Sequence, residues 1–119
     1  MTMEKKIETS ILDWLNLQPD CFAFKINTGG IFDPKSRRFR KNSNPHCHNG
    51  TSDILGAWRG RMLAIEVKRE KSVYGPRTYP SKEQKEFLTN IQKAGGIAFV
   101  ARSLEEVKIN LRLDIFDGA

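Results

Sequence analysis

Two short apolar runs, Ser52 to Trp58 and Arg61 to Lys68, are separated only by Arg59-Gly60. Two residues form the shortest loop that joins antiparallel strands, and glycine supplies the positive φ such a turn demands. The pair therefore reads as a β-hairpin. With a two-residue turn Trp58 faces Arg61, and the same register sets Asp53 directly opposite Glu66. A three-residue loop, Trp58-Arg59-Gly60 with Gly60 left-handed, would instead pair Asp53 with Ile65 and turn the acids to opposite faces.

The rest of the chain arranges itself around that hairpin. Ile7, Ile11, Trp14 and Leu15 recur at helical spacing between about Glu4 and Leu17, and Pro19-Asp20 ends the helix. Cys21 to Asn27 alternates Phe22, Phe24 and Ile26 with smaller or polar residues, the pattern of a strand that Thr28-Gly29-Gly30 breaks. A basic excursion follows, read as a hairpin turning at Asp33-Pro34, then a Pro/His/Asn/Gly loop over 44–50. Beyond the central hairpin a second loop, Arg69 to Pro80, precedes a helix capped by Ser81. Phe87, Leu88, Ile91 and Ala94 mark that helix's buried face, and Gly95-Gly96 stops it. Ile97 to Ala101 is wholly apolar and is expected inside the sheet. Ser103-Leu104-Glu105-Glu106 matches a capping box and opens a last helix to about Leu113. Strand 61–68, helix 82–94 and strand 97–101 form a βαβ unit, whose strands should run parallel. The expected architecture is α/β, a mixed central sheet flanked by helices, in a single domain over residues 1–119.

One strand of this scheme carries an anomaly. Met62, Ala64, Glu66 and Lys68 share a face, and Leu63, Ile65 and Val67 share the other. A strand covered by helices on both sides should be apolar throughout, because burying an unpaired charge is costly. In the first register two carboxylates, Asp53 and Glu66, stand about 4.5–5.5 Å apart at Cβ. They repel unless one is protonated or a cation lies between them. A hard divalent ion resolves the conflict, and Mg²⁺ needs only one or two carboxylates besides water and phosphate. Lys68 on the same face would place a positive charge beside them. For an isolated Glu-Val-Lys, a mutual offset of charges at a strand end is the ordinary reading. Asp53 in register and the basic loop beside it favour a chemical role.

The net charge of +6 makes a polyanion a plausible partner. Its distribution says more than its sum. Between Asp33 and Gly50, Lys35, Arg37, Arg38, Arg40 and Lys41 stand against the single acid Asp33, whereas the C-terminal stretch from Ser103 is acid-rich. Concentrated positive charge is what a phosphate-tracking surface requires, and Tyr74, Arg77 and Tyr79 of the second loop are candidates to stack on or bracket a strand. No apolar stretch approaches the ~20 residues of a spanning helix. The N-terminus lacks the apolar core of a secretory signal, so the expected address is the cytoplasm, with Cys21 and Cys47 as free thiols. His46, Cys47 and His48, with Cys21, match no zinc module.

Gly50-Thr51-Ser52-Asp53, twelve residues, then Glu66-Val67-Lys68 resembles the PD-(D/E)XK nuclease motif. More narrowly, the chain resembles a stand-alone virus-type replication–repair nuclease (VRR-NUC) domain. The resemblance covers nearly the whole length, including Ser81-Lys82-Glu83-Gln84 and Gly95 to Val100. Ser52 stands where the superfamily name has proline. The resemblance implies a restriction-endonuclease-like αβββαβα fold. It also implies Mg²⁺ or Mn²⁺ held by Asp53, Glu66 and the Val67 carbonyl, with Lys68 as the catalytic lysine. It further implies a glutamate on the first helix. Glu8 fits better than Glu4, because Ile11, Leu12 and Leu15 follow it and place it beside the buried stripe. Gln84 has two accounts: a site residue by the resemblance, and the reciprocal partner of Ser81 in a capping box. The activity implied is a structure-directed DNA endonuclease acting on branched, Holliday-type DNA, working as a homodimer in a bacterial or phage-infected cell. The competing expectations are a basic module that binds nucleic acid without cutting, and a restriction-type endonuclease.

Overall fold

The structure is a computed structural model. It describes residues 2–26, 31–33, 38–40, 45–46 and 50–117, with the backbone alone for 31–33, 38–40 and 113–117. Helix α1 (Met3–Leu17) starts at Thr2, whose hydroxyl accepts from Lys5 N, and it buries Glu8, Ile11 and Leu15. Asp20, at φ 58°, turns the chain into strand β1 (Cys21–Lys25). Strands β2 (Ile31–Asp33) and β3 (Arg38–Arg40) pair antiparallel with each other, apart from the main sheet. The turn expected at Asp33-Pro34 and the break at Thr28-Gly29-Gly30 lie outside the described residues.

Strands β4 (Ile54–Trp58) and β5 (Arg61–Val67) form the central hairpin. Both turn residues have positive φ, Arg59 at 51° and Gly60 at 85°, the conformation of a type I′ turn. Trp58 pairs with Arg61, the register of the two-residue turn. Helix α2 (Lys82–Lys93) then returns the chain to strand β6 (Ile97–Ala101), which lies parallel to β5. Helix α3 (Leu104–Asp117) follows and runs four residues past the end expected at Leu113.

The sheet order is β1-β4-β5-β6. The apolar run 97–101, expected inside the sheet, is therefore its edge strand. Helices cover both its faces: Ile97 and Ala101 are buried in the cluster of α1 and α3 and Ala98 in that of α2, with Phe99 and Val100 half-buried against them. Apolar composition reports burial on two faces and leaves the backbone edge undecided. At the opposite edge, Asn16 accepts from Ala23 N and donates to Ala23 O, both at 2.9 Å, so α1 covers part of the free edge of β1.

The two faces of β5 separate as a period of two demands. Leu63, Ile65 and Val67 pack with Ile11 and Leu15 of α1 and with Val107 and Leu111 of α3. Ala64 packs with Leu88 of α2. Trp14 stacks on Trp58 at 6.3 Å between ring centroids, closing the core near the hairpin tip. Among the described residues no helix is long and apolar enough to cross a membrane.

Candidate active site

The pairing of β1 with β4 continues one step beyond both strands. Asp53 O accepts from Ile26 N at 2.8 Å, which holds its backbone to the end of β1. Its side-chain Oδ2 accepts from Val67 N at 3.0 Å. The Asp53 carboxylate is thus fastened across the backbone of the residue next to Glu66.

Glu66 is 1% exposed, on the face of β5 that α2 covers. Its Oε1 accepts from Gln84 Nε2 at 2.9 Å and lies 3.5 Å from Lys68 Nζ. Its Oε2 is buried with no hydrogen-bond partner among the described residues. Burial pushes the Glu66 carboxyl up to about 8; the neighbouring charge of Asp53 adds to the rise, and the Lys68 ammonium opposes it. A carboxylate in this place lacks enough positive charge to ionise comfortably near pH 7. An acceptor oxygen left bare beside a second carboxylate is the donor set a hard divalent cation takes. Asp53 and Glu66 together are therefore a pair of oxygen donors suited to such an ion. Among the described residues no three or more His, Cys, Asp or Glu side chains are grouped closely enough to hold one, so the carboxylate pair has no third acidic partner there.

Gln84 reaches both the start of its own helix and Glu66. Its Oε1 accepts from Ser81 N at 2.8 Å while the Ser81 hydroxyl accepts from Gln84 N at 3.1 Å, a complete capping box. Its Nε2 remains free to donate to Glu66. Only an amide serves both ends, because a glutamate could cap but could not donate.

Gly50 explains how the motif loop meets this helix. A Cβ on Gly50 would fall 2.2 Å from Glu83 O and 2.7 Å from Gln84 N. The loop leading to Asp53 thus rests directly on the first turn of α2, and only glycine permits that approach.

The two acids of α1 diverge. Glu8 is 8% exposed, and its Oε1 pairs with Lys25 Nζ at 3.0 Å, at the end of β1 beside Ile26. Glu4 Oε1 accepts from the Thr78 hydroxyl at 3.0 Å in the second loop. Glu8 is therefore the buried acid, as its flanking stripe suggested, but its partner is a lysine. Lys25 carried no signal in the sequence beyond sharing a face with Cys21 and Ala23; its side chain is half exposed and reaches the buried Glu8.

The basic excursion is described only in part. Arg38 and Arg40 lie on β3, and Lys35, Arg37 and Lys41 lie outside the described residues, as do Cys47 and His48. Arg77 pairs with Glu70 at 3.3 Å, both about half exposed, and its Cζ sits 5.4 Å from the ring centre of Tyr79. Arg102, which the sequence did not single out, also lies over Tyr79 at 5.5 Å. Glu106 accepts from Arg102 N while its own N donates to Ser103 Oγ, so the expected box at 103–106 closes one residue earlier than a capping box would. Cys21 is a free thiol whose pKa burial raises, which keeps it protonated and unreactive at neutral pH.

No family model matches the sequence, and no curated protein matches it. Among solved structures, one described as a VRR_NUC domain protein superposes with a TM-score of 0.59. The match covers 95% of this chain and 88% of that one at 19% identity. A mixed four-stranded sheet with helices on both faces, with Asp53 just before β4 and Glu66 near the end of β5, has the fold of a VRR-NUC domain.

Proposed function

We propose that this chain is a divalent-metal-dependent DNA endonuclease. One observation carries the reading: Glu66 Oε2 is buried beside Asp53 with no hydrogen-bond partner among the described residues, while Lys68 and Gln84 engage the other oxygen. Mg²⁺ or Mn²⁺ held by Asp53, Glu66 and the Val67 carbonyl would supply Lewis acidity toward water and a phosphoryl oxygen. The chain's own residues do the rest. Val67 N and Gln84 Nε2 keep the two carboxylates in place. Lys68, with its side chain 15% exposed, offers an ammonium to charge developing on the phosphate. Lys35, Arg37, Arg38, Arg40, Lys41 and Arg77 contact the DNA backbone, which fixes the strand without reading its sequence. Glu8, which the resemblance counts as a further site acid, is buried on α1 and pairs with Lys25. The substrate in this reading is branched DNA of the Holliday-junction type, cut by a homodimer in the cytoplasm. The shared fold supports the nuclease class and nothing narrower.

Cleavage of branched and linear DNA with Mg²⁺, Mn²⁺ or EDTA tests the proposal. Cutting that needs metal and disappears in Asp53→Asn and Lys68→Ala is the expected result. A second reading, a module that binds DNA without cutting, draws on the pairing of Glu8 with Lys25, which leaves two carboxylates where hydrolysis would profit from three. DNA binding without cutting in any metal would establish it.

A further inference from the structure

Four hydrogen bonds join the two ends of the loop between β5 and α2 to each other and to the end of β6. Lys68 N donates to Ala101 O at 3.0 Å, so the lysine sits against the end of β6. The next residue, Arg69, pairs with Thr78: Arg69 N donates to Thr78 Oγ1 at 2.8 Å, and Thr78 N donates to Arg69 O at 2.9 Å. Arg102, the residue after β6, donates from Nη2 to Thr78 O at 2.7 Å. Tyr79 follows directly. Tyr79 is thus held on its Thr78 side, where Thr78 pairs with the residue that follows Lys68 and accepts from Arg102, yet its ring is 67% exposed.

The surroundings of the ring are specific. Two guanidinium groups, of Arg77 and Arg102, lie over it at 5.4 and 5.5 Å. Cation–π contact of this kind holds a ring in one orientation. Arg102 Nε is buried without a hydrogen-bond partner among the described residues, a position held at some cost. Tyr74, on the same loop, is 76% exposed and lines a groove of about 410 Å³ with Lys6, Arg69, Met3 and Thr2. The loop therefore presents two exposed rings, each accompanied by cations. Aromatic faces beside positive charge are the means by which proteins hold unpaired nucleic-acid strands, since a base can lie on a ring only when it has left its own stack.

We infer that the Arg69–Pro80 loop receives an unpaired DNA strand next to the scissile phosphate, with Tyr79 as the stacking platform for a nucleobase and Arg102 as the residue that positions it. The inference rests on the nuclease reading for its location and concerns a selectivity for unpaired over fully paired DNA. A loop merely pinned by cation–π contacts would show no such selectivity.

The test is binding, measured by fluorescence anisotropy in a Glu66→Gln background that prevents cutting. Two DNAs of equal length are compared, a fork with single-stranded arms and a continuous duplex. Tyr79→Ala should weaken fork binding about 5- to 100-fold, the range of one lost base stack, and leave duplex binding within about twofold. Tyr79→Phe should bind as the parent does, which separates loss of the ring from loss of the fold. Arg102→Ala should lose the fork preference and Arg102→Lys should restore it only in part, because an ammonium cannot both lie flat on the ring and reach Thr78 O. Equal weakening on both DNAs, or none on either, overturns the inference. Wild-type protein that cuts neither this fork nor a four-way junction in Mn²⁺ overturns the nuclease reading instead, while the fork-to-duplex binding ratio still decides this one.

Discussion

Gln84 donates to Glu66 Oε1 at 2.9 Å with the nitrogen of the amide whose oxygen caps helix α2 at Ser81 N. Helix initiation and carboxylate orientation thus meet in one side chain. The two duties separate by mutation. Ser81→Ala removes only the cap and should cost about 1 kcal/mol of stability with cleavage changed less than about threefold. Gln84→Ala removes the cap partner and the donor together, and cleavage should fall about 10- to 100-fold, the usual effect of losing a group that orients a metal ligand. Thermal melts and cleavage rates on the two variants check this; equal rates would confine Gln84 to the helix cap.

Glu66 should make the metal-free protein less stable as pH rises. Its folded pKa, about 8, lies above the ordinary 4.5. Between those values the native state binds the extra proton, so stability falls with pH and the full penalty is reached above about 8. The loss is on the order of a few kcal/mol. Melting temperatures measured from pH 5 to 8 in EDTA should decline, Glu66→Gln should flatten the decline, and Mn²⁺ should shrink it. A wild-type curve as flat as that of Glu66→Gln would refute the assignment.

Gly50 should tolerate no side chain. The Cβ of Gly50→Ala would sit 2.2 Å from backbone that cannot yield without moving the first turn of α2. Stability should drop by about 1–3 kcal/mol, as for other overpacked sites. Cleavage should drop more than stability predicts, because Asp53 and Gln84 move apart. Activity assayed well below the variant's melting temperature reads the difference.

Lys25 and Glu8 form a partly buried ion pair at 3.0 Å, the lysine half exposed and the acid nearly covered. Lys25→Ala leaves the acid without its partner and should cost about 1–2 kcal/mol, less than a fully buried pair because solvent reaches the lysine. Glu8→Gln keeps a hydrogen-bond acceptor and should cost less. If Glu8 serves the metal site, Glu8→Gln should nonetheless slow cleavage more than Lys25→Ala does. Denaturant midpoints together with cleavage rates distinguish the two effects.

Legible in the sequence was whatever depends on neighbours along the chain. Arg59-Gly60 announces a tight turn, and the pleat's period of two carries its register toward Asp53 and Glu66, but the choice between a two- and a three-residue loop was made by the pairing of Trp58 with Arg61. Ser81 and Gln84 announce a helix start for the same local reason. The tertiary structure decided what depends on distant segments meeting. An apolar run such as 97–101 states that both faces are covered, but whether another strand lies beside it is settled by long-range pairing, and here β6 is the edge. Helical spacing puts Glu8 beside the core, yet only the packing of α1 on β1 sets Lys25 against it. Arg102 and Tyr79 stand far apart in the chain and meet because β6 ends beside β5, a juxtaposition no local pattern encodes. Side-chain chemistry is written residue by residue; which groups face one another is fixed by burial and strand pairing across the whole fold.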